Sequence, residues 1–223
     1  MPQVSDPELP EAGEPVPRKR GRPPRTIEPD AVVDAVERLF AAGGIDAVTI
    51  ERTAAELGVS RATLYRSVPS KADLLGLHFV RRNEELYRAA LQATSARGAT
   101  PLERLIGLIR VQIEAAVKMR DYFFVYFDGS QLPEAVYRDW RRWADDYEKL
   151  WIKTVGNAIK AGDLSPGDTL LTTRLILGMT IWVANWFRTK EGFTPAEIQD
   201  RALELLAQVA PPPAMVSRGR KRR

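Results

Sequence analysis

The sequence predicts an all-α protein in which a small three-helix module precedes a larger helical bundle. Apolar residues recur at intervals of three and four, as in Val32, Val36 and Phe40, which is the spacing of one helix face. No segment alternates apolar and polar residues over the length of a strand between turn dipeptides, so no sheet is expected. Prolines stand near the expected helix starts and glycines stand at the breaks.

These prolines and glycines divide the chain into segments. Beyond the first module, helices are expected over residues 70–97, 101–119, 121–128, 132–161, 166–190 and 194–209. The predicted domain plan is a disordered basic arm over 1–25, a helix-turn-helix module over 26–77, a helical domain over 78–209 and a disordered basic tail over 210–223.

The composition excludes several classes of site. The 223 residues include no cysteine and one histidine, His78, so disulfides, thiolate metal sites and His-based catalytic pairs are not expected. No glycine-rich phosphate loop occurs, and we expect neither an enzyme nor a bound cofactor or metal. The chain lacks an apolar run of about 18 residues and a signal-peptide core, which favours a cytoplasmic protein without a membrane partner.

Positive charge is concentrated at the two ends of the chain. Segments 1–25 and 218–223 together carry a net charge of +6, so the residues between them carry −2, since the total is +4. Blocks of like charge are typical of solvated arms that contact nucleic acid. Solubility alone explains one such tail, whereas two tails favour a polyanionic partner.

The most informative stretch is TIERTAAELGVSRATLYR, residues 49–66. Thr49 and Ser60 are typical N-caps of two short helices, and Gly58 suits a tight turn between them. Two helices joined in this way form a helix-turn-helix, whose second helix enters the DNA major groove. The alternative interpretation is a plain pair of packed helices, because glycine turns between helices are common.

The second of these helices carries side chains suited to reading DNA. Arg61 can pair with guanine and Thr63 can touch a thymine methyl group, while Ala62 leaves room for close approach. Other expected contacts, chiefly with phosphates, involve the exposed or hydroxyl-bearing side chains of Thr49, Ser60, Tyr65 and Arg66.

Three neighbouring motifs give this stretch a wider context: LFAAGG at 39–44, GVSRATLYR at 58–66 and SKADLL at 70–75. Together they resemble the TetR family of bacterial transcriptional regulators over about 45 residues. The all-helical remainder fits the length and plan of that family. The resemblance implies a regulator that binds DNA and a small-molecule effector.

The resemblance also implies roles for individual residues. Family positions that contact phosphates match Thr49, Tyr65 and Lys71, and those that read bases match Arg61, Ala62 and Thr63. One departure is Ser67-Val68, which stands where the family normally has an aromatic residue after the recognition helix. We expect this departure to loosen the packing between the third and fourth helices without removing the fold.

The basic arm contains Arg20-Gly21-Arg22-Pro23, which resembles an AT-hook core. Gly21 lets the backbone approach the groove floor, and Arg20 and Arg22 favour the narrow minor groove of A·T tracts. A nonspecific basic arm is the alternative. The module over 26–77 carries a net charge of −3, so we expect the tails to add phosphate neutralisation and affinity.

Aromatic residues crowd the second half of the chain, which holds all five tryptophans. Ordinary core packing is one interpretation, and a ligand cavity between helices is the other, since buried Tyr and Trp need polar partners. The candidate ligand-binding residues are Phe123, Phe127, Trp140, Tyr147, Trp151, Arg174, Trp182, Trp186 and Arg188.

The segment RLILGMTIWVANWFR, 174–188, resembles a helix of TetR-family repressors of lipid and steroid catabolism that respond to acyl-CoA thioesters. That resemblance implies that Arg174 and Arg188 bind the CoA phosphates, whereas ordinary surface or dimer-interface ion pairs are the alternative. An acyl-CoA thioester is therefore the first expected effector. A non-CoA aromatic or hydrophobic compound, and an architectural minor-groove protein without any effector, are the alternatives.

The predicted function is transcriptional regulation, with repression expected, by a homodimer on palindromic double-stranded DNA that a small molecule releases. A single reading helix rarely supplies enough affinity, and two-fold symmetry matched to a palindrome solves this. The helices expected over 166–190 and 194–209 carry apolar residues for a four-helix interface. The domain over 78–209 is thus predicted to bind ligand and to dimerise.

Overall fold

The computed structural model describes residues 27–120 and 132–209, apart from the side chains of residues 208 and 209. The basic arm, the basic tail and residues 121–131 lie outside these ranges. The predictions that fall on such positions, and that stay predictions, are the helix over 121–128, the disorder of 1–25 and 210–223, and the roles of Arg20, Arg22, Phe123 and Phe127.

The described residues form α-helices, one short 3-10 turn at Thr189–Glu191 and no β-strand, which confirms the all-α prediction. In chain order the helices are α1 (Pro29–Ala47), α2 (Ile50–Glu56), α3 (Arg61–Tyr65), α4 (Lys71–Thr94), α5 (Pro101–Met119), α6 (Glu134–Ala161), α7 (Thr169–Trp186) and α8 (Pro195–Val209). None of these described helices combines the length and the apolar content that a membrane crossing needs.

Hydroxyl caps begin α2, α3 and α4, and those of α2 and α3 are at the predicted positions. The side chains of Thr49, Ser60 and Ser70 each accept a hydrogen bond from the backbone N–H three residues later, which satisfies a donor that the helix leaves unpaired. α1 is interrupted at Gly43 and Gly44, where Gly44 adopts a φ of 66°. A residue with a Cβ is strained at that angle, so the glycine fixes the predicted break.

α7 is shorter than the sequence analysis predicted, and local chemistry explains both ends. It starts at Thr169 because the Asp168 carboxylate caps it, accepting a hydrogen bond of 2.8 Å from the backbone N–H of Leu171. It ends at Trp186 because the backbone of Phe187 turns to a ψ of 125°. That turn buries the Phe187 ring in the core of the bundle.

Two clusters of buried side chains form the core, and α4 contributes to both. The cluster of the N-terminal module includes Leu64, Leu74 and Phe79, and the cluster of the helical bundle includes Leu86 and Trp151. α4 runs unbroken through 24 residues from one cluster to the other. The module and the bundle are therefore joined by a continuous helix rather than by a linker.

The expected loosening at Ser67-Val68 is absent, because Val68 is buried in the module core. Its backbone N–H also donates to the Leu64 carbonyl over 2.8 Å. An aliphatic side chain thus fills the junction between α3 and α4 where an aromatic one was expected.

His78 is buried on α4, at the contact with α1. Its ring stacks on Phe40 with centroids 6.4 Å apart, and its Nε2 lies 3.9 Å from a carboxylate oxygen of Glu37. Burial, reinforced by the positive charge of Arg82, lowers the pKa of His78 to about 4. The folded protein therefore holds His78 neutral, which favours packing against an apolar ring.

We predict that acid destabilises the protein through His78. The pKa in the unfolded chain is about 6.5, so the unfolded state binds more protons as pH falls from 6.5 towards 4. The free energy of unfolding should consequently fall by up to about 3 kcal/mol over that window. Urea denaturation at several pH values measures this, with His78→Gln as the non-titrating comparison. If the free energies of unfolding of the wild type and of His78→Gln changed in parallel with pH, the acid sensitivity would not come from His78.

Candidate DNA-binding interface and effector cavity

The turn between α2 and α3 is built from backbone hydrogen bonds around one glycine. Gly58 adopts a φ of 63°, and its N–H and that of Val59 donate to the carbonyls of Ala55 and Ala54 over 3.0 Å. Leu64 on α3 is fully buried and holds the short helix against the module. The pair is a helix-turn-helix with α3 in the recognition position.

α3 presents most of its predicted base-reading residues to solvent. Arg61, Ala62, Tyr65 and Arg66 are exposed, and Thr63 is half-buried. The structure thus brings these side chains together on one surface of a short helix.

Arg61 is held by an ion pair that it can readily leave. Its Nε lies 3.1 Å from a carboxylate oxygen of Glu51 on α2, and both side chains are more than half exposed. Exposed pairs of this kind contribute little to stability. The guanidinium is therefore oriented along the surface of α3 and remains available for a base contact.

The hydroxyls and the amine predicted to contact phosphates surround α3. The Thr49 and Ser60 oxygens cap α2 and α3, and the Ser60 and Thr63 hydroxyls lie 2.7 Å apart. Lys71 occupies the first turn of α4 and is half-buried. Their contacts with DNA stay predictions.

A cavity of about 550 Å³ lies between α4, α5, α6 and α7. Its aromatic walls come from Phe79 on α4 and from Trp140, Trp143 and Tyr147 on α6. Trp143 stacks on Tyr147 with centroids 5.0 Å apart and planes inclined by 12°. The volume and the aromatic lining are typical of a site for a small apolar molecule.

Polar groups enter this cavity at three described positions deep in the bundle. Asn83 and Gln112 are buried and line it. The Tyr147 hydroxyl donates to Gln112 Oε1 over 2.7 Å, and burial raises the pKa of Tyr147 above its ordinary value. The phenol therefore keeps its proton and is neutral.

Both parts of the chain match known families. Residues 32–76 match the family described as bacterial regulatory proteins, tetR family, and residues 98–210 match the tetracyclin repressor-like C-terminal domain. The chain belongs to the TetR family of bacterial regulatory proteins. This confirms the resemblance on which the predicted regulatory function rests.

One curated relative and several solved structures are similar to this TetR-family regulator. The HTH-type transcriptional repressor DrrR1 of Streptomyces coeruleorubidus is 41% identical over 61 residues. That match spans 27% of this chain and 23% of the repressor, so less than a quarter of the relative's length is covered.

The structural neighbours share the fold over most of their length. A TetR/AcrR-family regulator from Thermobifida fusca superposes with a TM-score of 0.72 at 19% identity, covering 80% of this chain and 96% of that one. The ketosteroid regulator KstR2 of Mycobacterium tuberculosis gives 0.61 at 22% identity, covering 84% and 95%. AibR, solved with isovaleryl coenzyme A and operator DNA, gives 0.65 at 20% identity, covering 82% and 98%. At these identities the likeness shows the fold alone.

In this TetR-family regulator only some of the predicted ligand-binding residues that the structure describes line the cavity. Trp140 and Tyr147 line the cavity. Trp151 is fully buried in the bundle core, behind the lining. Trp182 and Trp186 are exposed and lie on the opposite face of α7 from the lining residues of that helix.

The two candidate arginines are also outside the described cavity lining. Arg174 Nε lies 2.8 Å from a carboxylate oxygen of Glu148, in an exposed pair between α7 and α6. Arg188 is exposed, and its Nη1 donates to the Phe187 carbonyl over 2.8 Å. Neither guanidinium points to a preformed phosphate site in the described part of the bundle.

Sequence reasoning did not single out several residues that line the cavity, chiefly Phe79, Asn83, Gln112 and Trp143. A usable signal existed for two of them. Asn83 and Gln112 are polar residues on otherwise apolar helix faces, and a buried amide needs a partner. Such positions mark a polar pocket within a core.

Proposed function

We propose that the protein is a repressor that binds palindromic DNA as a homodimer and is released by a small molecule in the α4–α7 cavity. The observation that carries the proposal is the exposed surface of α3, where Arg61, Ala62 and Tyr65 stand free of the core on a capped recognition helix. The described cavity supports an effector. It counts against a purely architectural DNA-binding protein, which needs none.

Dimerisation is supported by an apolar stripe along the outer face of α7. The exposed members of the stripe, at helical spacing, are Leu171, Leu175, Gly178, Trp182 and Trp186. A contiguous exposed apolar patch is typical of an interaction surface. We therefore assign the two tryptophans to the interface between copies rather than to the ligand.

Release is proposed to act through α4, which carries cavity residues Phe79 and Asn83 and also enters the module core. In a bound dimer the two recognition helices must lie about 34 Å apart to meet successive major grooves. A ligand that shifts α4 in both copies changes that separation. To weaken binding about 100-fold it must favour the released conformer by about 2.7 kcal/mol, within the usual range of allosteric coupling.

Two effector classes draw support from different observations. The acyl-CoA thioester that we expected first is supported by AibR, a structural neighbour solved with isovaleryl coenzyme A. A non-CoA aromatic compound is supported by the lining itself, because its described residues include no lysine or arginine to meet phosphates. The AT-hook-like arm is proposed to add minor-groove contacts beside each half-site.

We predict that two substitutions separate base reading from phosphate contact. Arg61→Ala should relax sequence preference and weaken operator binding by about 1–3 kcal/mol, as for a lost bidentate base contact. Lys71→Ala should weaken operator and scrambled DNA alike and lower the salt slope by about one. Fluorescence anisotropy with both DNAs measures this.

Arg97→Ala is the matched control, since Arg97 is an exposed cation beyond the C-terminal end of α4. It should leave both affinities near those of the wild type. If Arg61→Ala lost the same affinity for operator and for scrambled DNA, the assignment of base reading to Arg61 and phosphate contact to Lys71 would be wrong.

We predict that Leu175→Glu separates the dimer, because this side chain is 65% exposed at the middle of the α7 stripe and a buried, unpaired charge strongly opposes association. Light scattering at micromolar concentration should report a dimer for the wild type and a monomer for the variant. Leu91→Glu is the control, since Leu91 is 42% exposed on α4. A wild-type monomer would contradict the proposal.

A further inference from the structure

We propose that Glu51 sets the DNA specificity of the recognition helix by positioning Arg61. This inference rests on the proposed function, since it assigns a further residue to the reading of the operator. Glu51 lies in the first turn of α2 and is exposed. One of its carboxylate oxygens lies 3.1 Å from Nε of Arg61, the first residue of α3. The pair therefore joins the two helices of the helix-turn-helix through the side chain that is expected to read a base.

This contact leaves the far end of the guanidinium available. An arginine has five N–H donors in a flat fork, and the carboxylate approaches that of Arg61 at Nε. Among the described residues, none forms a hydrogen bond with its Nη1 or Nη2 atoms. These two nitrogens can donate in parallel to O6 and N7 of a guanine in the major groove. Glu51 and a guanine can consequently hold the same guanidinium from two sides.

Positioning matters here because the Arg61 side chain is 67% exposed. An exposed arginine samples many rotamers, and ordering them on binding costs free energy. A carboxylate beside Nε restricts those rotamers before the DNA arrives. The pair adds little to the stability of the free protein, where water screens it, whereas the attraction between the two charges is stronger once the DNA excludes water. Glu51 therefore acts mainly in the complex.

The same carboxylate opposes binding at a wrong sequence. Where no guanine is present, the Arg61 guanidinium can turn to a phosphate, which is a contact independent of sequence. Glu51 counters that contact in two ways, since it competes for the guanidinium and its own negative charge repels the phosphates. Removal of the carboxylate should therefore raise the affinity for scrambled DNA and lower the preference for the operator.

A second glutamate on α2 provides a matched control. Glu56 Oε1 lies 2.6 Å from Nε of Arg38, so its partner belongs to α1 rather than to the recognition helix. Glu51 and Glu56 are both exposed, and each pairs with an arginine through Nε. Glu56→Gln thus removes the same charge from the same helix while the contact of Arg61 stays intact. Because both glutamates lie outside the core, neither substitution disturbs the packing of the module.

The test measures the affinity of the full-length protein for operator and scrambled duplexes by fluorescence anisotropy over a range of salt concentrations. The variants are Glu51→Gln, Glu56→Gln, Arg61→Ala and the double variant Glu51→Gln/Arg61→Ala. A further set of operators carries 7-deazaguanine, which lacks the N7 acceptor, in place of one guanine at a time. The guanine that Arg61 reads is the one whose replacement weakens binding of the wild type but not of Arg61→Ala.

Glu51→Gln should lower the ratio of operator affinity to scrambled-DNA affinity about tenfold, the scale of a charge-assisted contact. It should also steepen the salt dependence on scrambled DNA by about one, as for one added phosphate contact, and reduce the loss caused by 7-deazaguanine. Glu56→Gln should change the ratio less than about twofold, as for an exposed pair. Without Arg61, the Glu51 substitution should leave the ratio unchanged, because a positioning residue acts only through its partner.

Four results would each overturn the inference: an unchanged operator preference in Glu51→Gln, an equal loss of preference in Glu56→Gln, the same effect of Glu51→Gln with and without Arg61, or a 7-deazaguanine effect that is absent or unchanged. The wild type in the same titrations keeps the two proposals apart. A wild type that prefers the operator to scrambled DNA retains the proposed function even when the inference about Glu51 fails. A wild type that binds both DNAs equally loses the proposed function instead.

Discussion

The structure depends on one unbroken helix that belongs to two hydrophobic cores. Leu74 and Phe79 of α4 are buried among the helices of the DNA-binding module, while Leu86 and Ala90, about two and three turns beyond Phe79, are buried in the bundle. Because the backbone hydrogen bonds of α4 are continuous between these groups, neither core can shift along the helix alone. Phe79 lines the cavity and packs in the module core, so a molecule in the cavity would touch a side chain of the module core.

Ion pairs connect α1 of the module to α4. Arg81 pairs with Asp34 at 2.6 Å, and Arg82 pairs with Glu37 at 2.9 Å. These contacts lie beside the junction of the two cores, where an apolar interface alone would allow sliding. In the proposed release mechanism, a rotation of α4 would be passed to α1 and, through the module core, to the recognition helix.

The N-terminal module could be predicted well from sequence because its signals are local. The caps at Thr49 and Ser60 and the turn at Gly58 each act within a few residues. The cavity could not be predicted in the same way, because helical spacing shows that aromatic residues share a face without showing what that face meets. Trp182 faces outward on α7, and Gln112, on another helix, bonds to Tyr147. The contacts of these side chains are set by the packing of the four helices, which the spacing within one helix does not reveal.

The central claim is that cavity occupancy moves the recognition helices of a dimer, and an inter-copy distance tests it most directly. The chain contains no cysteine, so Ser67→Cys, at an exposed site just after α3, gives one spin label per copy. Double electron–electron resonance is recorded on operator DNA and again with a compound that displaces the operator. We predict a narrow distribution on DNA that shifts by several ångströms on release. An unchanged distribution in the released protein would contradict the account.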